Sequence, residues 1–338
     1  MIAASFDIGM PLVMAKTILL PLLANGEFRS GQDLATALGV SRTAVWKQLN
    51  NLAELGLEIE SVKGRGYRIP GGLDLLDAAA VQAGLQPQAA GLLAQLELLE
   101  ATDSTNAEVM RQLTGGAGSG LVCSAEQQSA GRGRRGRQWV SPYGRNLYVS
   151  VAWEYQQGAA ALEGLSLAVG VAVARALAVC GLPPVQLKWP NDILYRGAKL
   201  GGILLEMTGD AAGACQVVVG VGLNVAMPAV AAHAIEQDWT DVQTLSGGSH
   251  PGRNQLLAAL LNEVLPLLAE FEAGGFKAWK QQWTALDAFA DAPVVVHSGA
   301  SPLAGIARGV DDRGALQLET VSGIQSLYGG EISLRGAS

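Results

Sequence analysis

Four arginines crowd into residues 131–137 of a run that reads GRGRRGRQW from Gly131 to Trp139. Guanidinium groups grip phosphate and carboxylate oxygens bidentately, and Gly131, Gly133 and Gly136 let backbone come close to whatever is held. The chemistry indicated is anion binding. The same letters satisfy GxGxxG, but that dinucleotide fingerprint should open a helix, and here Gln138-Trp139-Val140-Ser141-Pro142 follows. Like charges this dense repel, so the loop is expected to be mobile when empty. Three further segments have the same flavour. Lys188-Trp189-Pro190-Asn191-Asp192 puts a cation, an amide and a carboxylate at a strand end, Lys199 to Glu206 opens a strand with a lysine and two glycines, and Gly222-Leu223-Asn224 closes another. Cations are plentiful, yet no Ser-His-Asp or Cys-His pairing and no Walker lysine accompany them. Such a site positions and neutralises phosphates without a covalent enzyme intermediate.

The elements that must position these residues alternate apolar strands with Gly-rich turns and helices, an α+β or α/β pattern. Leu96–Glu100, Leu121–Glu126, Val185–Trp189, Lys199–Glu206 and Val217–Val221 read as strands. Asp103-Ser104-Thr105-Asn106 is placed to cap a helix beginning near Ala107, and a helix N-terminus seats small polar ligands well. The chain has 338 residues, 49% hydrophobic and 16% charged, enough for two or three packed units. Cys123, Cys180 and Cys215 are far apart, and His233, His250 and His297 are scattered, so neither a disulfide framework nor a zinc site is suggested. Met1 to Asn25 is interrupted by Asp7 and Lys16 and lacks a basic leader, and the apolar stretch between Glu163 and Arg175 is too short to span a bilayer. A reducing cytoplasm and no membrane are expected.

The first seventy residues carry a different pattern. Gly9–Leu23 is helical in its apolar spacing, and Ser30-Gly31-Gln32-Asp33 has capping-box spacing ahead of Leu34, Ala35 and Leu38. Gly39 breaks that helix and Ser41 caps the next, where Val45, Leu49 and Leu52 repeat until Gly56. This is a helix-turn-helix. Leu57–Val62, a turn at Lys63-Gly64-Arg65-Gly66, and Tyr67-Arg68-Ile69 add a hairpin wing. Net charge is −7 for the chain but +1 over residues 1–70, and Arg42, Lys47, Lys63, Arg65 and Arg68 lie on the second helix and the wing. Cations there meet DNA phosphates, while Ser41, Arg42, Thr43 and Trp46 reach groove edges. Pro70-Gly71-Gly72 marks the module's end, and Leu73–Asp77 is expected to resume a helix.

GRGRRGRQW, KWPNDI, KLGGIL and GVGLNV in this order, with LLANGEF (Leu22 to Phe28) and GGEISLR (Gly329 to Arg335) near the ends, resemble the bacterial biotin protein ligases, and the winged helix-turn-helix resembles their bifunctional, biotin-operon-repressing subgroup. The resemblance implies an α+β multidomain chain. Its parts would be a winged helix-turn-helix over 1–72, a linker helix region over 73–95, a central mixed β-sheet with helices over 96–288 (a class II synthetase-like ligase fold) and a small SH3-like β-barrel over 289–338. For the barrel, Pro293–His297, Ile306–Val310, Ala315–Glu319 and Ile324–Tyr328 read as strands.

It implies two steps: biotin and MgATP give biotinyl-5′-AMP and pyrophosphate, then a lysine of a biotin carboxyl carrier protein takes the biotin. Ser104, Thr105, Asn106 and Gln128 would contact biotin, with Arg132, Gly133 and Arg134 covering it. Lys199 would reach the biotin carboxylate and α-phosphate, and Asp192 would orient the acceptor amine. Arg134, Arg135, Arg137, Trp139, Asn191, Asn224, Trp239 and Arg335 would hold ATP or the adenylate. Mg²⁺ would be bound through ATP phosphates, with no metal site of the protein's own. DNA contacts would come from Ser41, Arg42, Thr43, Trp46, Lys47, Lys63 and Arg65. Biotinyl-5′-AMP would also act as corepressor, driving a homodimer onto the biotin operator. The alternatives are a non-catalytic biotin-sensing repressor and a lipoate- or octanoate-handling ligase on the same fold.

Overall fold

The computed structural model describes residues 19–53, 55–158, 162–209, 213–248, 251–298, 301–328 and 332–336. Two compact units form: the described residues of Met1–Leu75 with Pro142–Gly144, and those of Leu76–Ser141 with Arg145–Ser338.

In the first unit, helices Gly31–Leu38 and Arg42–Ala53 follow a helical segment over 19–23. The first 18 residues, which hold most of the expected Gly9–Leu23 pattern, lie outside the described residues. Ser30 Oγ accepts the Asp33 N–H at 3.0 Å, and Gly39 ends that helix in the left-handed region at φ 65°. Ser41 Oγ accepts the Ala44 N–H at 3.2 Å and caps the second helix. Its i, i+4, i+7 spacing buries Val45, Leu49 and Leu52 together with Leu34 and Ile69. The wing is β1 (Glu60–Val62) paired antiparallel with β2 (Gly66–Arg68). The helix expected over Leu73–Asp77 does not form. Asp77 is instead a cap, accepting the Ala80 N–H at 2.7 Å for helix Ala78–Ala83, because a carboxylate ahead of three alanines satisfies the open backbone better than it continues a helix.

The second unit is built on a seven-stranded sheet. Its strands are β3 (Gln95–Thr102), β4 (Leu121–Gln128), β5 (Leu147–Tyr155), β6 (Gln186–Lys188), β7 (Asp192–Tyr195), β8 (Ala198–Gly209) and β9 (Cys215–Leu223). They run in the order β3-β4-β5-β9-β8-β7-β6, parallel only between β3 and β4. Helices Leu165–Val179 and Arg253–Gly274 cover one face, the former apolar almost all round because it is buried in the core. No described helix is long and apolar enough to cross a membrane. Residues 78–92 pack into this core. Val81 and Ala89 are fully buried, and the Asp77 and Gln86 N–H groups donate to Asn254 and Asn262 at 2.8 Å each.

The C-terminal part is a five-stranded antiparallel sheet of β10 (Pro293–Ser298), β11 (Ser301–Val310), β12 (Leu316–Thr320), β13 (Gly323–Leu327) and β14 (Ile332–Gly336), ordered β13-β12-β11-β10-β14. The four expected strands are present; β14, on the far side of β10, is the addition.

A buried ion pair ties this unit together. Arg253, 1% exposed, lies 2.6 Å from Glu126 and donates from Nε and Nη2 to the Asn146 carbonyl at 3.0 and 2.8 Å. The other Glu126 oxygen accepts the Leu76 N–H at 2.6 Å. Removing one partner of a buried pair leaves the other charge stranded. Arg253→Met is therefore expected to lower unfolding free energy by about 3–5 kcal/mol, read from urea denaturation.

Candidate active site

The second face of the central sheet carries the site. Side chains alternate along a strand, so Tyr148, Ser150 and Ala152 of β5, Val218, Gly220 and Gly222 of β9, and Gly202, Leu204 and Glu206 of β8 share this face, while Val217, Val219 and Val221 point into the core. The register aligns them in rows: Ala152–Val218–Glu206, Ser150–Gly220–Leu204 and Tyr148–Gly222–Gly202. The first row lies beside the small cluster of Val109, Leu113, Leu121 and Cys123, with Ala152 and Val218 its members. The second and third rows are low enough for other groups to lie on them. A Cβ on Gly220 would overlap Asn106 Oδ1, and one on Gly222 would come within 2.6 Å of Trp139 Cε2. Both glycines are close-approach positions.

Strict alternation would put Lys199 on the opposite face from Gly202. A bulge corrects this: Ile193 pairs with Gly201, whereas Leu194 pairs with Lys199, leaving Leu200 as the extra residue. Leu200 is fully buried, and the Lys199 ammonium turns over Gly202. Its Nζ lies 2.6 Å from Asp192 Oδ1 and 5.6 Å from the centre of the Trp139 ring, with Lys188 Nζ 3.5 Å from the other Asp192 oxygen. Residues 238–240 run alongside. Lys199 N–H donates to Asp238 O, Thr240 N–H donates to Lys199 O, and Asn224 Nδ2 donates to Thr240 O at 3.1 Å. Trp239 is thereby held beside Lys199.

At the other end, helix Thr105–Thr114 begins two residues earlier than expected, so Thr105 and Asn106 are helical and Ser104 makes no side-chain cap. Gln128 does that work from β4. Its Oε1 accepts from Thr105 N at 2.9 Å and Thr105 Oγ1 at 3.2 Å, and its Nε2 donates to Ser141 Oγ at 3.0 Å. Ser150 Oγ lies 2.8 Å from Thr105 Oγ1 and 2.6 Å from Asn106 Oδ1. Asn106 Nδ2 donates to Glu206 at 2.7 Å and to Leu204 O at 3.3 Å.

Between these ends lies the arginine loop, folded back on itself. Trp139 N–H donates to Gly131 O at 2.8 Å, Arg132 pairs with Gln138, and Gly133 N–H donates to Arg137 O at 2.7 Å. Arg135 adopts φ 60°, a conformation few non-glycine residues take. Arg134 Nη1 donates to Asn191 Oδ1 at 3.0 Å. Burial pulls the Arg134 guanidinium below its ordinary value; Asp192 opposes this, while Arg135 and Arg137 add to it. A buried cation with cationic neighbours favours an anionic ligand. The Trp139 indole N–H is buried with no acceptor among the described residues, and a ligand acceptor would recover that loss.

One cavity of about 760 Å³ gathers Ser104, Thr105, Asn106, Gln128, Arg132, Gly133, Arg134, Arg135, Arg137, Trp139, Asn191, Asp192, Lys199, Asn224 and Trp239. Arg335 lies on β14, its backbone opposite Val295, and its side chain is outside the described residues. Lys188 lines this cavity but was missing from the sequence-derived site, and so were Ser150 and Glu206, which lie behind the lining against Asn106. Lys188 stood in a motif already singled out, Ser150 carried no signal, and Glu206 was an acidic residue closing an apolar strand. Cys123 is fully buried and does not line this cavity, and burial pushes its thiol up to about 12. Among the described residues no His, Cys, Asp or Glu cluster could hold a metal ion. In the first unit Ser41, Arg42, Thr43, Trp46, Lys47, Lys63 and Arg65 are all exposed, and Arg65 and Arg68 stack over Phe28 at 4.1 and 4.6 Å.

A sheet face that joins neutral polar groups to clustered cations, with no Ser-His or Cys-His pair among the described residues that line it, has the character of an anion-activating ligase site. The profile of the biotin/lipoate A/B protein ligase family matches residues 98–224, that of an HTH domain residues 15–68, and that of the biotin protein ligase C-terminal domain residues 293–335. The bifunctional ligase/repressor BirA of Escherichia coli is 42% identical over 94% of this chain and 97% of its own length. That of Bacillus subtilis is 30% identical over 92% and 95%. A biotin protein ligase from Aquifex aeolicus, solved with biotin and ATP, superposes with TM-score 0.62 at 26% identity, covering 72% of this chain and all of that one. The chain belongs to the biotin/lipoate A/B protein ligase family, in its bifunctional ligase/repressor branch.

Gly222→Ala tests the floor of the cavity. Its methyl displaces the Trp139 indole, so the variant should keep its far-ultraviolet circular dichroism while its tryptophan emission shifts and ligand binding weakens at least tenfold, about 1.4 kcal/mol.

Proposed function

We propose that the chain is a biotin protein ligase that is also a biotin-responsive transcriptional repressor. It joins biotin to ATP as biotinyl-5′-AMP and passes biotin to a lysine of the biotin carboxyl carrier protein of acetyl-CoA carboxylase. The observation that carries this reading is the cavity of about 760 Å³ with two unlike ends, Thr105 and Asn106, backed by Ser150, at one and Lys199, Lys188 and Arg134 at the other. A ligand with a neutral polar head and a carboxylate tail fits that division.

The first step brings two anions together, which requires neutralisation. Lys199, held by Asp192, lies where the biotin carboxylate meets the α-phosphate; that carboxylate attacks phosphorus and pyrophosphate departs with the α–β bridging oxygen. Arg134, Arg135, Arg137 and Lys188 balance the phosphate charge, Trp139 and Trp239 flank the nucleotide, and Asn191 and Asn224 hold Arg134 and the 238–240 segment. The donor set suits a triphosphate whose Mg²⁺ is carried by its own oxygens, and the metal would add charge neutralisation at the leaving pyrophosphate. In the second step the acceptor amine attacks the acyl carbon and AMP leaves, with Asp192 close enough to orient that amine. Arg132, Gly133 and Arg134 cover the mixed anhydride and keep water from it.

Operator DNA would meet the exposed face of helix Arg42–Ala53 and the wing through the seven residues named above, with biotinyl-5′-AMP as corepressor and a homodimer as the binding species. The divisions 1–72, 73–95, 96–288 and 289–338 are the corresponding functional parts, and the cytoplasm is the compartment proposed.

The test is biotin-dependent ATP–pyrophosphate exchange by the purified chain. Lys199→Ala should reduce exchange by about 10²–10³-fold, and an unchanged rate would remove Lys199 from the role. Gel shifts on the chain's own biotin-operon promoter should strengthen with biotin and ATP. No shift under either condition would leave a ligase without repression, and exchange with lipoate instead of biotin would overturn the substrate.

A further inference from the structure

Glu206 is a carboxylate of the site face that touches both Asn106, at the neutral end of the cavity, and Arg132 of the arginine loop. It stands in the Ala152–Val218–Glu206 row, one row from the Asn106 seat. One oxygen, Oε2, accepts from Asn106 Nδ2 at 2.7 Å, and the other, Oε1, pairs with Arg132 Nη1 at 3.0 Å. The Glu206 side chain is 27% exposed and that of Arg132 is 43% exposed. Asn106 is fixed from both sides: its Oδ1 faces Ser150, and its Nδ2 reaches only acceptors, which settles the orientation of the amide. A rotation of Asn106 would cost the Glu206 contact, and a shift of Glu206 would free Arg132.

We infer that Glu206 is a positioning residue that couples ligand seating at Asn106 to closure of the arginine loop through Arg132. The inference rests on the ligase reading, in which that loop covers the adenylate. When the head of the ligand holds Asn106, Glu206 is held as well, and its second oxygen is presented to Arg132 at the loop's first arginine. Glu206 touches neither the reacting carboxylate nor the phosphate. Its effect falls on how long the adenylate stays covered, not on how fast it forms.

The experiment uses the full chain and follows two rates: biotin-dependent pyrophosphate exchange, and escape of radiolabelled biotinyl-5′-AMP into water without acceptor. Glu206→Gln is expected to exchange at the wild-type maximal rate but to lose adenylate about three- to tenfold faster, the size of a half-exposed charge-assisted contact. Glu206→Asp, which keeps the charge, should lie nearer wild type. Glu206→Gln combined with Arg132→Gln should leak no faster than Arg132→Gln alone, because both remove one contact. An unaltered leak in Glu206→Gln, or single effects that multiply in the double variant, would overturn the coupling. Absence of exchange in the wild-type chain overturns the ligase reading beneath it, and the coupling with it, so the two failures are told apart.

Discussion

Asp192 stands between two lysines, 2.6 Å from Lys199 and 3.5 Å from Lys188, and the architecture around it serves to keep that arrangement in place. A carboxylate in a site meant for anions looks misplaced, because it subtracts charge where charge is wanted. It is needed because two lysines and a partly buried arginine repel one another, and an ammonium without a fixed partner swings on a four-carbon stem. Asp192 fixes Lys199 over Gly202, and residues 238–240 clamp the Lys199 backbone from the other side. The cations keep a net excess while their positions are set.

The sheet supplies the other constraint. A ligand and an indole ring can lie flat on a strand surface only where side chains are missing, and Gly202, Gly220 and Gly222 clear such a strip beside Ser150. Further along the same strands the face returns to ordinary packing at Ala152 and Val218, under helix Thr105–Thr114. One sheet therefore changes from core to binding floor within two rows. The change is made by residue size, with no break in the hydrogen-bond ladder.

The arginine loop, the lysine strand and the winged module were legible in the sequence because each depends on local spacing: guanidinium density, alternation, or the i, i+4, i+7 set of Val45, Leu49 and Leu52. What was not legible depends on partners distant in the chain. Lys199 joins the Gly202 face through a bulge at Leu200, and no alternation rule read along β8 alone could show this. Ser104 looked like a cap, but the open helix N–H is met by Gln128, 23 positions later. Asp77 looked like part of a helix because its neighbours are leucines, and it caps the next one instead. The contacts of Glu206 with Asn106 and Arg132 showed only once β8 and the loop were seen facing each other.

The neutral end of the cavity has a chemical consequence. Most of its donors are already engaged: Asn106 Nδ2 with Glu206 and Leu204, the Thr105 N–H with Gln128, and the Ser150 hydroxyl with its two oxygen neighbours, leaving the Ser104 hydroxyl beside them. What remains open is mostly lone pairs. A ligand head rich in N–H groups, such as a cyclic urea, answers them, whereas a disulfide ring has nothing to donate and would leave buried oxygens unmatched. In the proposed ligase, whose family description spans both biotin and lipoate, that difference in hydrogen-bond direction would favour biotin.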